Sequence, residues 1–278
     1  MAAEKPDLDA AVARYYAQAP EEERLRYGAA ILEEARTREL INRHAPDPPA
    51  VVLDVGGGAG AYAFWLADLG YRVHLVDASP RLIEEAQRRA AGRQPPPLAS
   101  ATVGDARALD FPDGSADITL LLGPLYHLTD PADRAKALAE AKRVLKPGGW
   151  LFAAVISRWA SLLDGLVRDL FQDPRFVAIA TRDLHDGQHR NPTDRLDYFT
   201  TAYFHRPAEA VEEVRAAGFH DPRIFGIEGP GWLLSDADKR MEDPRRRADL
   251  LMAASVTERE PSLSGISAHL LVVAQKPD

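Results

Sequence analysis

The hydrophobic and polar positions of the chain change rhythm near residue 50. Before it, Leu8, Val12 and Tyr15/Tyr16, then Leu25, Ile31, Leu32, Ala35, Leu40 and Ile41, recur at roughly helical intervals. That period predicts helices over 8–45 with one apolar face. APDPPA at 45–50 stops them. Short apolar runs then alternate with helical patterns. VVLDV (51–55), YRVHLVD (71–77), ATVGDA (101–106), ADITLLLG (116–123) and WLFAAVIS (150–157) read as strands. DPRIFGIEG (221–229) and SAHLLVVAQK (267–276) hold two more. Helices are predicted over 60–69, 80–91 and 208–219, and in ADRAKALAEAKRVLKPGG, where KPGG is a stop before the next strand.

Buried apolar strands separated by helices predict an α/β fold: a doubly wound, seven-stranded, mostly parallel sheet. Two segments break the alternation. Residues 158–206 and 230–264 carry aromatics and arginines, and are expected to pack together as a cap above the sheet's carboxyl edge. The expected organisation is an N-terminal helical cover (1–48), a core (49–157), a cap insertion (158–206), and the rest of the core (207–278) with a second insertion at 230–264.

GGGAG at 56–60 follows the first strand directly. Glycines there let a ligand approach bare backbone, and the next helix offers unpaired N–H groups. Gly56, Gly58 and Ala61 satisfy a loose dinucleotide pattern. Asp54, however, stands two residues before the first glycine, and a carboxylate is a poor neighbour for pyrophosphate. Asp77 ends the second strand, where an acid hydrogen-bonds ribose hydroxyls. A ribose-bearing cation without phosphate suits both acids.

Composition narrows this further. There are no cysteines, which removes disulfides and thiolate chemistry. The net charge of −8 lowers the expectation of a nucleic-acid partner. No apolar run approaches a membrane span, and the N-terminus lacks a signal-peptide core, so the protein is expected to be cytoplasmic.

VLDVGGGAG, VHLVDAS, VGDARAL, DITLLLGPLYHL and AEAKRVLKPGGWLF, in that order over 51–155, resemble the class I S-adenosylmethionine-dependent methyltransferases. The branch resembled acts on small molecules (type 11/25-like). The resemblance implies a Rossmann-like core and S-adenosylmethionine as cofactor. It implies that Asp54, Gly56, Gly58 and Gly60 hold the methionine part, with Asp54 near its ammonium. Asp77 would bind the ribose, with Ala78 and Ser79 beside the adenosine, and Asp105 and Ala106 would bracket the adenine. Leu122 and Gly123 would face the sulfonium, with Tyr126 and His127 just beyond. From the N-terminal helices, Tyr16, Tyr27 and Arg36 are candidates to cover the cofactor or reach its carboxylate.

Candidate catalytic residues are His127 as base, Tyr126 orienting substrate, and Glu228, which ends a strand among glycines and could take a proton or steady a cation. Plain structural roles remain open to all three, and Asp77 could simply cap a helix. His185, His189, Tyr198, Tyr203 and His205 are further cap candidates. Arg158, Arg182, Arg190 and Arg206 could grip an anionic substrate group. No metal site is expected. The expectation is methyl transfer to oxygen or nitrogen, before carbon, of a small metabolite by a monomer or homodimer. The alternatives are an NAD(P)-dependent oxidoreductase and a non-catalytic cofactor-binding module.

Overall fold

The computed structural model describes residues 10–18, 28–93 and 97–278. Leu8, Leu25 and Tyr27 lie outside the described residues. Helices α1 (Ala10–Gln18) and α2 (Ala30–His44) precede the sheet. The core then runs β1 (Val51–Val55), α3 (Ala61–Asp68), β2 (Arg72–Asp77), α4 (Pro80–Ala91), β3 (Ser100–Val103) and β4 (Ala116–Leu121). It continues through a short α5 (Pro124–His127), α6 (Pro131–Val144) and β5 (Leu145–Ser157). The first insertion contributes α7 (Ala160–Val167), α8 (Pro174–Asp186), β6 (Gln188–His189) and β7 (Ala202–His205). Then follow α9 (Pro207–Ala216), β8 (His220–Gly226), α10 (Ala237–Glu242), α11 (Pro244–Thr257) and β9 (His269–Gln275).

Seven strands form the main sheet in the order β3-β2-β1-β4-β5-β9-β8. All are parallel except β9, which runs antiparallel to both neighbours. Two strands beyond the expected seven, β6 and β7, form a ribbon that joins the carboxyl end of β5 through Ile156–Phe204 and Ser157–His205. β5 also starts earlier than expected. KPGG does not lie outside it: Leu145 already pairs with Ala116, and the ladder resumes at Trp150–Ile118 after a register shift. Gly148, at φ 70°, supplies the left-handed residue that this irregularity needs.

Period-two alternation sorts the strands onto two cores. Val52, Leu75, Ile118, Leu120 and Phe152 face α2, α3 and α4. Leu53, Val55, Leu121, Leu151 and Val155 face α6 and α9. Both faces are dry, which is why the strands read as unbroken apolar runs. The second insertion does not stack broadly on the first. Met241 and Leu250 bury the apolar stripe of α2 at Leu32. The two insertions meet where Trp232 reaches the wall shared with α7.

Phe152 is fully buried in the first of these cores. Phe152→Ala should cost about 3–5 kcal/mol, read as a lower urea midpoint at unchanged slope.

Candidate active site

Strand order reverses between β1 and β4, so the crevice at their carboxyl ends is the expected ligand position. The glycine turn lies there, pinned to β2 by Gly56 N–H donating to the Val76 carbonyl at 2.7 Å. Two of its glycines answer to the protein's own packing rather than to a ligand. A Cβ on Gly56 would lie 2.5 Å from Pro124 Cδ, at the start of α5. A Cβ on Gly57 would strike the Asp54 carboxylate and Leu75. Gly58 and Gly60 hold φ values of 58° and 85°, and Gly60 leads into α3.

Asp54 shares its strand face with Val52 and is fully buried beneath Gly57. Neither carboxylate oxygen has a hydrogen-bond partner among the described residues. Burial pushes this carboxyl up to about 7, and the Asp77 charge adds to the rise. The Ala63 amide acts the other way without closing a hydrogen bond to either oxygen. Asp77 is better satisfied. It accepts from Gly58 N–H and Ser79 N–H, both at 2.8 Å, so one side chain ties the glycine turn to the start of α4. Burial raises its pKa, and the Ser79 and Gly58 amides oppose that rise. Ala78 sits half-buried between them. Two carboxylates around one turn disfavour a phosphate there. They fit a cationic, ribose-bearing ligand, to which Asp54 would give a counter-charge that it now lacks.

Asp105 and Ala106 follow β3. The Asp105 carboxylate is held by Arg107, with Nη2 at 2.7 Å, rather than standing open. Burial works against its charge, but the Arg107 hydrogen bonds keep its pKa below the usual value. Ala106 is buried on the α6 side.

At the end of β4, Leu122 and Gly123 lead into α5. A Cβ on Gly123 would lie 3.0 Å from the Gly56 carbonyl, so this turn and the glycine turn touch. From α5, Tyr126 enters a cavity of about 260 Å³ between the first insertion, α1 and the β5/β9 edge. His127 stands behind it. Its Nδ1 lies 3.1 Å from the Thr201 carbonyl, which only accepts, so Nδ1 carries the hydrogen. In the neutral ring Nε2 then accepts from the Tyr16 hydroxyl at 2.7 Å. Tyr16 borders the cavity and His127 does not.

One expectation needs correction. Arg36 does not point to the glycine turn. It is buried, donates to the Ile227 carbonyl and pairs with Glu39 and Glu258. Glu228 is not a bare carboxylate. It accepts from Ser267 Oγ at 2.6 Å, from His269 N–H at 3.0 Å and from His269 Nδ1 at 2.6 Å. His269 itself borders the cavity. It was invisible in sequence because it opens an ordinary buried strand; only the β8–β9 pairing brings Glu228 to it. In the insertion, His189 and Tyr198 border the cavity, whereas His185 is exposed and His205 is buried against Glu213.

Asp54 keeps its proton to about pH 7 when folded, against a reference of 3.8. Its contribution to stability is intact below about pH 4 and lost as pH rises to about 7, on the order of 4 kcal/mol in all. Asp54→Asn should remove that share of the loss, seen as a smaller drop in urea midpoint from pH 4 to pH 8 than in the parent. A pH dependence identical to the parent's would contradict the buried neutral acid.

Comparisons with known proteins show what the chain is similar to. A family model described as "Methyltransferase domain" matches residues 53–153. A ubiquinone biosynthesis O-methyltransferase of Albidiferax ferrireducens is 36% identical over 121 residues, 43% of this chain and 46% of that protein. The chain thus spans about half the length of that relative. A ubiquinone/menaquinone biosynthesis C-methyltransferase UbiE of Acidiphilium cryptum is 32% identical over 204 residues, covering 71% of this chain and 79% of that protein. An S-adenosylmethionine-dependent methyltransferase structure from Methanosarcina mazei shares the fold at a TM-score of 0.57 and 20% identity, covering 86% and 97% of the two chains. With five motifs in order, a glycine turn flanked by acids, and a relative matched over most of its length, the chain belongs to the class I S-adenosylmethionine-dependent methyltransferase family.

Proposed function

We propose that this protein transfers a methyl group from S-adenosylmethionine to an oxygen or nitrogen of a small molecule held in the aromatic cavity. One observation carries the reading. Gly123, at the cofactor crevice, packs on Gly56, and Tyr126, three residues on, borders the cavity. Crevice and cavity share a wall, so a reacting pair placed across it would be aligned.

When bound, the cofactor supplies an electrophilic methyl on a cationic sulfur. The turn at Gly56–Gly60 and Asp54 take the methionine end, and Asp77 the ribose. Ala78 lies beside the adenosine, and Asp105 and Ala106 beside the adenine, with Arg107 fixing the Asp105 carboxylate. Leu122 and Gly123 border the reacting methyl. Alignment and exclusion of water are the main demands of such a displacement, and positioning of this kind supplies about 7–11 kcal/mol in favourable cases. Residues 158–206 serve as the substrate cap, their aromatic side chains keeping the cavity dry.

An oxygen or nitrogen acceptor must also lose a proton. Tyr16 faces the cavity, and its hydroxyl already donates to His127 Nε2. The pair can pass a proton from acceptor to imidazole, with the Thr201 carbonyl holding the ring's orientation. The acids around the turn weigh against a nicotinamide dinucleotide, and the cavity beside the β4 end weighs against a purely sensing module. Relatives named for quinone methylation support a small-molecule acceptor.

Incubating the protein with methyl-labelled cofactor and metabolite extracts should yield a labelled small molecule; cofactor binding without any transfer would leave only the sensing module. Asp77→Ala should weaken cofactor binding at least tenfold by calorimetry, with the fold retained by circular dichroism. Tyr16→Phe and His127→Ala should each slow turnover by about 10²–10⁴-fold while cofactor affinity stays within a few-fold; full activity in both would retire the relay.

A further inference from the structure

The cavity has an electrostatic sign. Sixteen described residues line it; eight are Tyr, Phe or Trp, and none is Lys or Arg. None of the four arginines expected to grip an anion is among its described lining residues, and Arg182 is exposed, 4.0 Å from Asp186. Arg158 donates to the Phe204 carbonyl at 2.7 Å and to Glu209 at 2.8 Å. Arg190 donates to Gln188 and the His189 carbonyl, and Arg206 lies over Trp159.

The ionisable groups that do line the cavity are carboxylates and histidines. Asp164, on α7, is partly buried and bonded to Arg168 at 3.0 Å. Asp197 is paired with Arg195 at 2.8 Å. His189 is flanked by the fully buried Asp183 at 2.8 Å. His269 is backed by the buried Glu228, with Glu33 Oε2 3.7 Å from the same Nδ1. Each histidine thus brings a carboxylate with it. Some rings are set edge to face, as in Tyr15–Phe199 at 5.4 Å and Tyr15–Tyr16 at 5.3 Å, and others are tilted, as in Tyr126–Phe199, so ring faces turn to different sides. Ring faces attract cations, most strongly where water is excluded. An anionic group placed here would find no guanidinium or ammonium among the described lining residues and would sit beside the Asp164 and Asp197 carboxylates, which is costly.

We infer that the methyl acceptor carries a cationic nitrogen, a protonated amine or quaternary ammonium, held between the aromatic rings and the Asp164 and Glu228–His269 sides of the cavity. The inference rests on the reading of this cavity as the acceptor site. It excludes carboxylate- and phosphate-bearing acceptors.

The test uses the full chain loaded with S-adenosylhomocysteine and three probes of one size: phenethylamine, 2-phenylethanol and phenylacetate. Calorimetry at pH 7 should show phenethylamine binding at least tenfold tighter than phenylacetate and several-fold tighter than the alcohol. Asp164→Asn and Glu228→Gln should each reduce that preference at least threefold without changing S-adenosylhomocysteine affinity; Asp164 lies toward the surface, so its variant remains informative if the buried Glu228 variant fails to fold. Phenylacetate binding as tightly as the amine, or no binding of the amine, overturns the inference. Failure of S-adenosylhomocysteine itself to bind would instead overturn the cofactor reading.

Discussion

One carboxylate beneath one glycine organises this molecule. Asp54 takes a strand position whose neighbour on the same face, Val52, is in the dry core, and Gly57 closes over it. The turn can pass only because residue 57 has no side chain. The described protein offers the Asp54 oxygens no hydrogen-bond partner, so burial favours the neutral form. Asp77 fixes the same turn from β2 through Gly58. Together these contacts set the position of the crevice.

The aromatic cavity is built by a different device. β5 runs past the main sheet and takes on β7, so the ribbon of the first insertion grows directly from the sheet's carboxyl end. Aromatic side chains from that insertion then meet Tyr126 of α5 and Tyr15 and Tyr16 of α1. Long-range hydrogen bonds, such as Tyr16 to His127 and His189 to the Tyr198 carbonyl, hold rings from separate segments around one space. Polar groups that line this space are tied back to partners behind them, which leaves its wall aromatic.

The division between glycine-turn crevice and aromatic cavity explains what could be read along the chain. The core was legible because its signals are local. Apolar runs at strand spacing, Pro80 opening α4 and the Gly56–Gly60 turn each act on a few neighbouring residues. Asp54 and Asp77 were legible for the same reason: each lies at a strand end beside the turn that it serves. Arg36 was misread because its partner, Glu258, is 222 residues away and competes for the guanidinium through an ion pair that no local pattern signals. The ion pair of Asp105 with Arg107, two residues on, was likewise not read from the sequence.

The sequence by itself determined the order and type of the core elements, the glycine turn and the acids around it, because these follow from periodicity and backbone constraint within short windows. Only the tertiary structure decided the start of β5, the ribbon β6–β7, the pairing of His269 with Glu228 and the composition of the cavity wall. Those depend on which distant side chains share a small volume, and burial and hydrogen bonding across the fold settle that after the chain has closed on itself.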